Sequence, residues 1–171
     1  QLFSLVLLFL VASIFDINDG VPLTPIMVLF LNFFITIFPV IVIMLDPAPA
    51  GIMHKPPRDP KKTIANPAAV VQWFIYGGLI FLTSLVPLLV MSDQASSTEP
   101  NVPVTMTFTI AALGSIFGGL VMRRDPESGL APPILTAVKW LSIPLLLTVA
   151  AVEVGFLQRL IGTTSLDGRE W

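Results

Sequence analysis

The sequence has 171 residues, of which 54% are hydrophobic and only 12% charged, with a formal net charge of −2 and no cysteine. A soluble domain carries about 25% charged residues, so a mean hydropathy of +0.87 excludes that class. It leaves a membrane protein without disulfides, thiolate–zinc sites or thiol nucleophiles. Period-2 alternation is missing, which points away from a membrane barrel and toward helices. No basic stripe with interleaved aromatics offers a surface to nucleic acid.

The first apolar segment covers about residues 1–15. It has no charged leader or small-residue cleavage site and is short for a span, so it is expected to be a truncated helix of a longer chain. Asp16, Asn18, Asp19 and Gly20 supply turn chemistry. Thr24 followed by Pro25 reads as an N-cap and first-turn proline, opening a second segment over about 24–45. The loop 46–66 follows, with Lys55, Arg58, Lys61, Lys62 and the only histidine, His54. Its prolines Pro56, Pro57 and Pro60 make it stiff and extended.

The third segment, about 67–91, opens near Trp73 and Tyr76, which suit a membrane interface. A non-basic loop leads to the fourth segment, about 104–122, rich in Thr, Ser, Gly and Ala, the residues of close helix packing in membranes. The loop 123–133 begins with Arg123 and Arg124, and the fifth segment covers about 134–152. A mixed-charge amphipathic tail ends at Trp171. The fold expected is therefore all-α, a polytopic helical membrane protein with about five transmembrane helices. Basic and non-basic loops alternate, and the positive-inside rule puts loops 46–66 and 123–133 in the cytoplasm.

Chemistry concentrates in the second segment. Asn32 and Thr36 are four apart and share a face in a regular α-helix. Pro39 has no N–H to offer the carbonyl of Ile35. In hydrocarbon such a carbonyl needs another partner. Asn32, Thr36 and the Ile35 carbonyl can thus form an oxygen cluster, or Asn32 can serve as interhelical glue beside a proline kink. Thr105, Thr107, Thr109 and Ser115 in the fourth segment suit packing and backbone hydrogen bonding, and Glu153 suits a solvated helix end. No phosphate loop, Ser/His/Asp set or paired carboxylates occur in a span.

The second segment and its exit loop resemble the membrane domain of P-type cation-transporting ATPases, the calcium-pump-like branch. The resemblance rests on Pro25, Leu29, Asn32, Pro39, Asp46-Pro47, Ile52-Met53, Lys55-Pro56-Pro57-Arg58 and Pro60-Lys61. It continues at Pro103 to Phe108, and at Phe156-Leu157-Gln158, Thr163, Leu166 and Trp171. It implies the fifth to ninth helices of a ten-helix membrane domain. It also implies an ATP-driven pump with a phosphorylated aspartate, and ATP and Mg bound, in cytoplasmic domains of the parent chain. The resemblance further implies metal-ligand positions at Asn32, Thr36, Ile35, Ser115 and Gln1. The family's calcium carboxylates fall here at Thr36, Ser115 and about Gln1, all neutral. A divalent ion is poorly held by neutral donors alone, so the transported ion is left open.

The function expected is the membrane portion of a P-type cation pump, with the lipid bilayer, the cation, and the N-terminal helices and cytoplasmic domains of the parent chain as partners, in the plasma membrane. The alternative is a non-catalytic scaffold or partner subunit derived from such a transporter. An upstream Asp-Lys-Thr-Gly-Thr motif separates the two.

Overall fold

The computed structural model describes residues 1–45, 67–91, 99–122 and 134–167. His54, the basic residues of loops 46–66 and 123–133, and Trp171 lie outside them. Among the described residues every regular element is helical. Helix α1, Leu2–Ile14, has 13 residues, or about 20 Å at 1.5 Å per residue. That is short of the roughly 30 Å of a hydrocarbon core.

The chain then reverses through a run of left-handed residues. Asp16, Asn18 and Asp19 all have φ near +53°, and Gly20 has φ +75°. Asp and Asn tolerate this region because their short polar side chains bond locally. The Asn18 side chain does so, donating from Nδ2 to the Val21 carbonyl at 2.5 Å.

The second segment is one span built from three pieces: α2, Pro25–Phe30, a π segment, Leu31–Ile35, and α3, Ile37–Met44. Thr24 caps it as its sequence suggests, its hydroxyl oxygen accepting the Met27 N–H at 3.2 Å. Helix α4 is Pro67–Val90, α5 is Val102–Met122 and α6 is Ile134–Glu153. A short α7, Gly155–Ile161, lies in the stretch read from sequence as a tail. Three stretches are long and apolar enough to span: Pro25–Met44, Val70–Val90 and Val102–Val121. The residues Ala137–Glu153 with α7 make a fourth candidate bent by 88°. The expected set of about five spans is thus, among the described residues, three spans, the first of them interrupted by the π segment, one bent pair and the short α1.

Helix α5 is the centre of the bundle, packed against α3, α4, α6 and the π segment. Its small residues make that possible. A Cβ on Gly114 would meet Ile80 of α4 at 3.1 Å, and one on Gly119 would meet Pro39 Cβ of α3 at 2.5 Å. The buried core is apolar, with Leu8, Met27, Leu31, Ile35, Leu88 and Phe108 at its densest. Lipid is as apolar as this core, so its specificity comes from shape and interhelical hydrogen bonds rather than from burial as such. One such bond joins α5 to α4, the buried Thr107 hydroxyl donating to the Ser84 carbonyl at 3.0 Å.

Candidate functional site

The span Pro25–Met44 changes its winding at Leu31–Ile35. There the Thr36 N–H bonds to the Leu31 carbonyl at 2.9 Å, five residues back instead of four. Pro39 lies one turn beyond and has no N–H for the Ile35 carbonyl. Single π turns inside α-helices are frequent at functional sites. Pro39 is itself buried, held against the bare face of Gly119.

The extra residue in the turn rotates α2 relative to α3. Asn32 and Thr36 therefore do not share a face, unlike in the regular helix that their spacing suggests. Asn32 is exposed on the outside of the described bundle and donates from Nδ2 to the Val28 carbonyl at 2.8 Å. Thr36 turns inward. Its hydroxyl lies 2.8 Å from the Leu31 carbonyl and also donates to Gln1 Oε1. The Ser115 hydroxyl donates to the same Gln1 oxygen at 2.9 Å.

Three of the five residues singled out from sequence are thus brought together: Gln1 from the start of α1, Thr36 from the broken span and Ser115 from α5. Ile35 contributes a fully buried side chain beside them, with its carbonyl relieved of the proline bond. Asn32 stands apart. The Leu31 carbonyl, which takes both the Thr36 amide and hydroxyl, is not legible in the sequence, because its role depends on the π register.

The cluster is neutral. The Gln1 oxygen accepts two hydroxyls, while Gln1 Nε2 is buried without a hydrogen-bond partner. A single Thr36 proton serves two acceptors. Among the described residues no group of three or more histidines and carboxylates is placed to hold a metal ion. Glu153, which closes α6, is exposed. The threonines of α5 are structural in their bonding: Thr109 donates to the Thr105 carbonyl at 2.9 Å, and the Thr105 hydroxyl oxygen accepts the Thr164 N–H at 3.0 Å.

The broken span thus brings its polar groups against those of two other helices. Against known families, residues 20–171 match the family described as cation transporting ATPase, C-terminus. The chain belongs to this family. The match begins in the turn before Thr24 and covers the broken span and every later helix. This cation-transporting ATPase C-terminal region is an integral membrane unit, its apolar spans consistent with the family. No curated protein sequence matches the chain.

Proposed function

We propose that this region lines part of the cation path of an ATP-driven P-type pump. The convergence of Gln1, Thr36 and Ser115 at the π segment is the observation that carries the reading. Thr36 and Ser115 supply hydroxyl dipoles, Gln1 an amide, and Pro39 leaves the Ile35 carbonyl without its helical donor. These donors suit partial dehydration of a cation by neutral oxygens. A divalent ion such as calcium needs anionic ligands as well, and those must come from outside the described residues. The outward Asn32 would then face helices from the N-terminal part of the parent chain and complete the site with them. ATP and Mg would act in that chain's cytoplasmic domains, and the plasma membrane is the site proposed for the assembly.

The test separates hydroxyl from shape. In the full-length pump, Thr36→Val is expected to raise the cation concentration for half-maximal ATPase stimulation by about tenfold, equivalent to about 1.4 kcal/mol. Thr36→Ser should retain the parent value, and Asn32→Ala should weaken cation dependence as Thr36→Val does. Unchanged cation dependence in both Thr36→Val and Asn32→Ala would falsify the ligand reading.

The absence of a carboxylate or histidine cluster among the described residues favours a second reading, a non-catalytic scaffold or partner subunit that keeps the helices of a transporter. A whole protein with no cation-stimulated ATPase activity and no phosphorylated intermediate would select it.

A further inference from the structure

Helix α6 has 20 residues, which at 1.5 Å each give about 30 Å, one hydrocarbon thickness. The chain bends by 88° just beyond its end. If α6 crosses the bilayer, α7 runs along the membrane surface. Val154 makes the break in extended conformation, with φ −89° and ψ 112°.

The bend is fixed. Gln158 donates from Nε2 to the Val152 carbonyl, and the Thr163 hydroxyl donates to the Ala151 carbonyl. The far end closes on Gly162, at φ +84°, whose N–H bonds to the Gln158 carbonyl at 2.8 Å. The Thr24 hydroxyl lies 3.3 Å from the Ile161 carbonyl, joining α7 to the start of the broken span. One side of α7 is thereby pinned inward, with Ile161 only 1% exposed.

The other side is apolar and uncovered. Phe156 is 75% exposed and Leu160, four residues on, 54%. With Val154 they continue the exposed apolar surface of α6, which includes Leu146 and Val149. Arg159, also exposed, sits between them in sequence. An apolar stripe with a basic residue beside it, lying flat at the end of a span, matches the layer between acyl chains and phosphates.

We propose that α7 is an in-plane anchor. Phe156 and Leu160 seat at the acyl boundary of the leaflet opposite the basic loops, and Arg159 meets phospholipid phosphates. Through Thr24 this anchor sets the level at which the broken span enters the bilayer. The occupant is lipid rather than protein because Val154, Phe156 and Leu160 extend, at the end of a membrane-length helix, the exposed apolar residues Leu146 and Val149 of α6.

Nitroxide labels test this in the full-length protein, with any native cysteines replaced, in nanodiscs of phosphatidylcholine and phosphatidylglycerol. Labels go at Phe156→Cys and Leu160→Cys. Leu146→Cys serves as a reference within the span and Ser165→Cys as an exposed polar reference. Collisions with oxygen over those with a nickel chelate should place residues 156 and 160 between the references and nearer Leu146. Values equal to Ser165 would overturn the proposal, since α7 would then stand in water. Suppressed collisions with both reagents would overturn it too, since protein would then cover the face. Depth is read without any pump assay, so the outcome is independent of the ligand reading of Thr36.

Discussion

Gly119 shows how narrow the tolerances are around the broken span. A methyl group there would stand 2.5 Å from Pro39 Cβ and 3.3 Å from its Cα. Neither atom can swing aside, because the proline ring is tied to the backbone. Gly119→Ala should therefore cost about 1–3 kcal/mol, the usual range for overpacking. Gly118→Ala, where nothing lies within 4 Å, should be close to neutral. Thermal unfolding of the two variants in detergent decides this, and equal midpoints would show that α3 does not rest on Gly119. By contrast, losing the Thr107 bond to the Ser84 carbonyl should cost about 0.6 kcal/mol, the average for such bonds in membranes. Close approach of α5 to α3 is therefore expected to outweigh the individual hydrogen bond between α5 and α4.

At the scale of elements, the span Pro25–Met44 is defined by its interruption. Thr24 and Pro25 start it, the π turn shifts its register, and Pro39 withholds a backbone donor one turn later. In lipid the freed carbonyl has no water to turn to, so the break persists only where other helices bring polar groups. Ser115 of α5 and Gln1 at the start of α1 stand at this break, joined to each other through the Gln1 oxygen. Pro39→Ala would restore an N–H opposite the Ile35 carbonyl and remove the reason for the π register. Amide hydrogen exchange across residues 36–40 should slow in that variant. Exchange as fast as in the parent would mean that packing alone, not the proline, holds the turn open.

For the whole molecule, the loop charges predict a direction. Loops 46–66 and 123–133 carry six of the nine lysines and arginines, so they should face the cytoplasm and the α7 end the other side. In sealed cells an impermeant maleimide should label Ser165→Cys directly and His54→Cys only after permeabilisation. The reverse pattern would invert the topology and move the α7 anchor to the opposite leaflet. The bundle also leaves Asn32, Phe33 and Phe34 exposed together, the surface to which the proposal above assigns helices from the N-terminal part of the pump.

Composition and hydropathy determine the membrane class, because covering about 30 Å of hydrocarbon leaves long uncharged runs that no soluble fold needs. The Thr24-Pro25 cap is equally legible, since it is chemistry between near neighbours. The polar and proline interruptions of the second span are visible too, as residue types. Their geometry is not. Sequence spacing assumes an unbroken α-helix, and the π turn separates Asn32 from Thr36. The meeting of Gln1, Thr36 and Ser115 spans 114 positions, and no local pattern encodes it. Helix α7 is hidden in a tail of mixed charge, because seven residues are too few to show a period. Only the tertiary structure decides these points: the register of the broken span, the partners across it and the angle of α7 are set by which helices touch, through a bare glycine, a missing proline N–H and carbonyls that have no water to bond.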